Sequence, residues 1–108
     1  WDTNYAVILL EMKEQHANRH GQAHGGVLMT ILDAACTRAG AVCPNTGDIR
    51  KTSTVSMTTN FIRSTKDTNL LVKARKTGGG RRIFFATADA FDDSGNLIAS
   101  CVATCRYK

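Results

Sequence analysis

Residues 18–33 read NRHGQAHGGVLMTILD, a stretch that joins a polar, glycine-rich segment to an apolar, helix-like one. The first nine residues contain two histidines and three glycines, with no apolar side chain larger than alanine. From residue 25 to about residue 41 the apolar side chains recur at helical spacing, which predicts one amphipathic helix with an apolar stripe of Leu28, Ile31, Leu32, Ala35 and Ala39. The first amides of such a helix have no partner within it and carry partial positive charge. The stretch therefore predicts either an ordinary loop or a site built from backbone N–H groups.

Segments with strand-like patterns surround this helix. Strands are predicted at residues 5–14, 51–63, 69–77, 82–91 and 97–106, although Leu9 and Leu10 leave a helix possible in the first. In the second strand one face is expected to hold Val55, Met57, Thr59 and Phe61. The core is expected to include Phe84, Phe85 and Phe91. Turns are predicted at residues 44–47, 78–80 and 92–95, and such short connections imply an antiparallel sheet covered by the helix.

Length and composition indicate one α+β domain over residues 1–108, with 43% hydrophobic and 21% charged residues. The sequence has no apolar run long enough to span a membrane and no secretory signal, which predicts a cytoplasmic protein without membrane insertion. The chain starts with Trp1 rather than Met, so we expect a native segment before it. The spacing of the four cysteines is not that of a zinc site, and buried thiols in a reducing compartment are expected instead.

The net charge of +5 indicates an acidic partner, such as nucleic acid, a membrane surface or a phosphorylated small molecule. Basic residues cluster at residues 73–82, which read KARKTGGGRR. Nucleic-acid binding usually adds exposed aromatic side chains for stacking, but aromatic residues are only 6% of this chain. We therefore expect no nucleic-acid partner, and a solvated hairpin end is the simplest alternative for the basic run.

One pattern carries a family resemblance. It comprises Asn18, Gly21, His24, Gly25, Gly26 and Asp33, which give N-x-x-G-x-x-H-G-G followed seven residues later by Asp. This pattern resembles that of hotdog-fold acyl-CoA thioesterases of the phenylacetate-degradation (PaaI-like) type. Further matches lie at residues 61–63, 78–82 and 92–100. The resemblance implies a hotdog fold, in which an antiparallel sheet of about five strands wraps around one long central helix.

The resemblance also implies catalytic roles in hydrolysis of an acyl- or aryl-acyl-CoA to the free acid and coenzyme A. The Gly25 amide would stabilise the oxyanion, and Asp33 would act either as a general base on water or as a nucleophile. Asn18 would hold the water or the carbonyl, while His24 would fix the loop or contact the substrate. Thr54 would complete the site from a neighbouring subunit, unless it is an ordinary strand threonine.

Substrate-binding residues follow from the same resemblance. Gly26 would let the substrate approach the backbone, and the hairpin with Gly80, Arg81 and Arg82 would bind the coenzyme A phosphates. Arg63 is a further candidate for these phosphates. No cofactor or metal is expected, because coenzyme A is part of the substrate.

The resembling enzymes place their sites at subunit interfaces, which predicts a homo-oligomer, either a dimer or a dimer of dimers, with shared active sites. The alternative function is a non-catalytic sensor that binds acyl-CoA on the same fold. Asp33 discriminates between the two, because a protein that only binds needs no carboxylate beside the carbonyl. The sequence leaves open the acyl group and the choice between the two roles of Asp33.

Overall fold

The computed structural model describes residues 4–11, 25–42, 47, 49–63 and 69–108. Within these residues the elements are β1 (Tyr5–Leu10), α1 (Gly25–Ala39), β2 (Thr52–Phe61), β3 (Leu70–Gly79), β4 (Ile83–Phe91) and β5 (Leu97–Tyr107). The strands form one sheet in the order β1-β3-β4-β5-β2, and every neighbouring pair is antiparallel. The predicted α+β class, with five strands and one helix, is confirmed.

The helix packs on one face of the sheet and contacts all five strands. Its buried residues are those of the predicted apolar stripe together with Cys36, namely Leu28, Ile31, Leu32, Ala35, Cys36 and Ala39. The core beneath it draws many small residues from the strands, among them Ala74, Ala86, Ala88, Ala90, Ala99 and Ala103. Because the distance between packed elements is set by the side chains at the contact, these alanines let α1 lie close to the sheet.

The connection from β1 through α1 to β2 positions the helix across the sheet. β1 and β2 are the two edge strands, so α1 carries the chain from one edge to the other. The later strands β3, β4 and β5 are neighbours joined in sequence order. The start and the middle of the helix therefore both come close to β2, where they meet Phe61 and Thr54 respectively.

The β3–β4 hairpin turns two residues later than predicted. β3 extends to Gly79, so the turn comprises residues 80–82 rather than 78–80, and the Gly80 N–H donates to the Ile83 carbonyl at 2.8 Å. Gly79 has φ 139°, and a Cβ there would lie 2.5 Å from the Phe84 Cα. Both the backbone conformation and the close approach require glycine at this position.

Two predicted side-chain positions are wrong. Val55 was expected to share the face of β2 that holds Met57, but the register with β5 shifts between Thr54 and Ser56, and Val55 is 58% exposed. A bulge of this kind interrupts the alternation of a strand. Phe85 was expected in the core, yet it is 46% exposed while Phe84 is fully buried. Adjacent strand residues point to opposite faces, so the sheet buries only one of this pair.

The end of the helix is anchored to the sheet through Gly40. A Cβ at Gly40 would lie 2.2 Å from the Phe84 Cε2, so the ring of Phe84 packs directly on this backbone. The Tyr107 hydroxyl donates to the Gly40 carbonyl at 2.7 Å, and the rings of Phe84 and Tyr107 lie 4.9 Å apart between centroids. The helix thus ends on a fixed aromatic platform.

The described cysteines Cys36, Cys101 and Cys105 are free and buried, as predicted, whereas Cys43 lies outside the described residues. In the part of the chain that the structure describes, no three or more histidine, cysteine or acidic residues are grouped so as to hold a metal ion. Nor does any helix there have the length and apolar character needed to cross a membrane.

Candidate functional site

Asp33 and Thr54 form a hydrogen-bonded pair between α1 and β2. The Thr54 Oγ1 donates to the Asp33 Oδ1, and the pair is partly buried. Asp33 lies on the flank of the helix, and the β2 bulge that follows Thr54 is next to the contact. The contact forms within one chain. The expectation that Thr54 reaches this carboxylate from a neighbouring subunit is therefore wrong for this pair.

Buried thiols lie behind the pair. Cys105 is the β5 partner of Thr54, and burial, followed by the charge of Asp33, raises the pKa of Cys105 to about 11. The Cys36 Sγ lies 3.6 Å from the Cys101 Sγ, and this contact together with burial raises the pKa of the Cys36 thiol. Because the thiolate is the nucleophilic form, the raised pKa values disfavour Cys36 and Cys105 as nucleophiles near neutral pH. The same contact with Cys36 lowers the pKa of the buried Cys101 thiol.

The start of α1 presents backbone N–H groups that have no partner within the helix. Gly25 and Gly26 open the helix and are exposed, and its first turn contains no acidic residue. A Cβ at Gly25 would make ordinary contact with the Phe61 ring at 3.6 Å, whereas one at Gly26 would meet nothing within 4 Å. The first amides of the helix have no partner within it and carry partial positive charge, so this end suits a developing negative charge. Asn18 and His24 lie outside the described residues.

The β3–β4 turn holds the predicted phosphate-binding residues Gly80, Arg81 and Arg82, all exposed. The turn is tied to neighbouring residues by its backbone, because the Tyr107 N–H donates to the Arg82 carbonyl at 2.8 Å and the Arg50 Nη1 donates to the Arg81 carbonyl at 3.3 Å. The Arg50 guanidinium also lies 3.9 Å above the Tyr107 ring. These contacts hold the turn and one further cation together.

Additional cations lie around this turn, and apart from Lys76, which belongs to the basic run at residues 73–82, the sequence pattern did not single them out. They are Arg50, Lys51, Lys76, Arg106 and Lys108, and together with Arg81 and Arg82 they form what we call the basic end. The Lys76 Nζ donates to the Tyr107 hydroxyl at 3.3 Å, and the Lys108 N–H donates to the Lys51 carbonyl at 2.9 Å. The antiparallel pairings of β3 with β4, of β4 with β5 and of β5 with β2 bring these residues together. The signal in the sequence that could have identified the basic end is the set of basic residues at the ends of the predicted strands.

Arg63 is not part of the basic end. It follows β2 at the opposite end of the sheet, where its N–H donates to the Ile98 carbonyl at 3.1 Å. Hydrogen bonds from Asn96, and also the charge of Arg63, lower the pKa of Asp92 in the β4–β5 turn. The predicted substrate-binding residues are therefore divided between two ends of the molecule.

The catalytic candidates are also divided between these two ends of the molecule. Thr54, which contacts Asp33, pairs with Cys105 on β5. Cys105 is two residues from Tyr107, or about 7 Å along the strand. The Asp33 carboxylate therefore lies toward the basic end. Gly25 lies instead beside Phe61, toward the end that holds Arg63. At about 1.5 Å per residue, the eight steps along the helix from Gly25 to Asp33 span about 12 Å.

Comparison with protein families matched residues 20–99 to the model described as the thioesterase superfamily. A search of curated proteins found no match. Among solved structures, zebrafish thioesterase superfamily member 2 has a TM-score of 0.86 at 29% identity, over 98% of this chain and 76% of that one. The Escherichia coli PaaI protein of the phenylacetic acid degradation operon has a TM-score of 0.86 at 19% identity, over 99% of this chain and 75% of that one. A Streptococcus mutans UA159 protein bound to acetyl-CoA has a TM-score of 0.85 at 18% identity, over 100% of this chain and 84% of that one.

Proposed function

This chain belongs to the thioesterase superfamily, and on that premise we propose that it hydrolyses the thioester of an acyl- or aryl-acyl-CoA to the free acid and coenzyme A. The hydrogen bond from Thr54 to Asp33 is the observation that carries the proposal. A positioned carboxylate is what acyl transfer to water requires. A protein that only binds acyl-CoA has no need of one, so the pair favours hydrolysis over the sensor alternative.

In the proposed reaction Thr54 occupies Oδ1 of Asp33 and leaves Oδ2 as the acting oxygen. As a general base, Asp33 takes a proton from water while the water oxygen bonds to the carbonyl carbon, and the C–S bond then breaks to release coenzyme A. As a nucleophile, Asp33 itself bonds to that carbon, the C–S bond breaks to release the coenzyme A thiolate, and water then hydrolyses the resulting anhydride to the free acid and the Asp33 carboxylate. In both routes the Gly25 N–H stabilises the oxyanion, a contribution of typically about 2.7–4 kcal/mol, and Asn18 positions the reacting groups. No cofactor enters either route.

We propose that the coenzyme A phosphates bind at the basic end through Arg81 and Arg82. Arginine suits phosphate because its planar fork presents paired donors, and the backbone of Gly80 allows close approach. The support is the concentration of cations described above and the acetyl-CoA bound by the Streptococcus mutans relative. Arg50, fixed above Tyr107, is a further candidate for the same phosphates.

We also propose that the active protein is a homodimer, or a dimer of dimers, with shared sites. An oxyanion donor and a base that act on one carbonyl each lie within a few ångströms of it, whereas about 12 Å of helix separates Gly25 from Asp33. β2 is an edge strand, and edge strands tend to pair with another chain. At its edge and just beyond it lie exposed apolar side chains, with Phe61 52% and Ile62 49% exposed.

A two-fold axis at the β2 edge would reverse the direction of the helix between subunits, because such interfaces are self-complementary. The start of one helix would then lie beside the middle of the other. Each site would combine Gly25 of one subunit with Asp33 and Thr54 of the other. The sharing proposed from the sequence is thus kept, but the division between subunits falls between Gly25 and Asp33.

The function is tested by screening short, long and aromatic acyl-CoAs for release of free coenzyme A, with the wild type and Asp33→Asn. Asp33→Asn should lower kcat by at least about a hundredfold, the scale for losing a positioned acid or base. Asp89→Asn is the matched control, since Asp89 is an exposed carboxylate on β4, and it should change kcat less than twofold. Near-normal turnover by Asp33→Asn removes Asp33 from the mechanism. Binding without hydrolysis of any acyl-CoA supports the sensor alternative.

A further inference from the structure

A cavity of about 340 Å³ lies between the end of β1 and the first turns of α1. It is lined by Leu10, Gly26, Val27, Thr30 and Ile31. Its volume is within the range of small-molecule sites, which begins at roughly 300 Å³. No step of the proposed reaction uses it.

The lining of the cavity is apolar. None of the five lining residues is charged, and three carry aliphatic side chains. The hydroxyl of Thr30 already donates to the Gly26 carbonyl at 2.8 Å, so this group is satisfied within the helix. A ligand group that enters the cavity therefore gains by burying hydrocarbon and finds no partner for a charge among these five residues.

The cavity adjoins the proposed oxyanion donor. Gly26, which lines it, directly follows Gly25 at the start of α1, and a side chain at Gly26 would meet nothing within 4 Å. Phe61 flanks Gly25, while Leu10 of β1 belongs to the cavity wall. A thioester whose carbonyl oxygen meets the Gly25 amide thus has an apolar space next to its carbonyl carbon.

We propose that this cavity binds the acyl chain and makes the protein selective for uncharged, medium-chain acyl groups. This inference rests on the proposed function, because it takes the Gly25 amide as the position of the carbonyl. At about 30 Å³ per heavy atom, roughly the share of a water molecule in the liquid, the cavity holds about ten carbon atoms. Longer chains extend beyond the cavity. An acyl group that ends in a carboxylate loses the hydration of that carboxylate without gaining a partner among the five lining residues.

The test measures binding separately from hydrolysis. S-alkyl-CoA thioethers from two to sixteen carbons cannot be hydrolysed, and their dissociation constants are measured by titration calorimetry. The Kd should fall by up to about fourfold per methylene as far as about ten carbons and then level off. A thioether of the same length that ends in a carboxylate should bind at least about tenfold more weakly. The values of kcat/KM for the matching acyl-CoAs should follow the same profile.

Variants that change the cavity in opposite directions establish its role. Val27→Phe adds four carbon atoms and should move the plateau to chains roughly four carbons shorter, while Leu10→Ala removes three and should move it roughly three carbons longer. Val102→Phe makes the same change as the first variant at an exposed β5 position, and it should leave the profile as in the wild type. Acetyl-CoA serves within each variant as the substrate too short to sense the cavity.

The outcomes separate this inference from the proposed function. A chain-length plateau that both variants move supports the acyl site even if no acyl-CoA is hydrolysed. If acyl-CoAs are hydrolysed but neither kcat/KM nor the Kd of the thioethers depends on chain length, the acyl site is overturned and the proposed function stands. A plateau that neither variant moves also overturns it, as when a second copy of the chain fills the cavity. If one variant fails to fold, the shift in the other decides.

Discussion

The proposed sharing of active sites between subunits makes a prediction about mixtures of inactive variants. Gly25→Pro removes the proposed oxyanion donor, and proline is tolerated at the first position of a helix. Gly25→Ala keeps the N–H, and its Cβ would make only ordinary contact with the Phe61 ring, so it is the matched control. Asp33→Asn removes the proposed base. Gly25→Pro should lower kcat by about a hundredfold or more, as the loss of an oxyanion donor typically does.

A mixture of the two inactive variants should recover part of the wild-type turnover, and the proposed division of the site between subunits sets how much. Gly25 and Asp33 are separated by about 12 Å of helix, so one chain does not supply both to the same carbonyl. When equal amounts of the Gly25→Pro and Asp33→Asn chains are unfolded together and refolded, about half of the dimers are hybrids, and each hybrid has one intact site. Turnover should therefore return to about a quarter of the wild-type value.

A second mixture tests the other half of the reasoning. Thr54 and Asp33 are in contact within one chain, so mixing Thr54→Val with Asp33→Asn should restore no activity above that of the separate variants. Turnover is followed by release of the coenzyme A thiol, with hybrid formation confirmed by native mass spectrometry. Recovery in the second mixture but not in the first would refute the proposed division between subunits. A fully active monomer in ultracentrifugation would refute sharing altogether.

Further predictions follow from the basic end, the helix end and the buried thiols. Replacing Arg81 and Arg82 by alanine should raise KM for acyl-CoA roughly three- to thirtyfold and weaken its salt dependence, with kcat and a pantetheine thioester lacking the nucleotide almost unaffected. Gly40→Ala should lower the free energy of unfolding by about 1–3 kcal/mol in urea titrations, because its Cβ clashes with the Phe84 ring. Cys105 holds its proton to about pH 11 when folded, whereas the unfolded thiol ionises from about pH 9. Its contribution to stability is therefore fully present below pH 9 and is lost toward pH 11, by roughly 1–3 kcal/mol. Cys105→Ala should have a shallower slope than the wild type in this pH range, and the slope that remains comes in part from Cys36, whose pKa is also raised.

The sequence predicted those features that depend on local periodicity. The apolar stripe of α1 repeats every three to four residues, and each member named from the sequence is buried. The strands were placed within a few residues because alternation and turn residues mark their limits. The bulge at Val55 was not predicted, because it depends on how β2 is matched against β5 rather than on the residues of β2 alone.

The candidate site was predictable only in part, for the same physical reason. Asp33 and the glycines at the start of α1 belong to one continuous stretch, so a resemblance in sequence could identify them together. The contact of Thr54 with Asp33 joins residues that are 21 positions apart. Arg50 and Tyr107, which meet at the basic end, are farther apart still. Such contacts are fixed by strand register and by the crossing of the helix over the sheet, which composition and spacing do not specify.

The close packing of α1 on an alanine-rich sheet face has a dynamic consequence for the proposed dimer. Interiors packed at this density move as units rather than bend, and a helix of 15 residues behaves as a rigid rod. One end of this rod would present the oxyanion donor Gly25 to one reaction centre, while its middle would carry Asp33, the proposed base or nucleophile, of the other. A tilt that tightens the first centre would displace the second. The two halves of the dimer would then turn over in alternation rather than independently, with cooperativity transmitted by a single helix in each subunit.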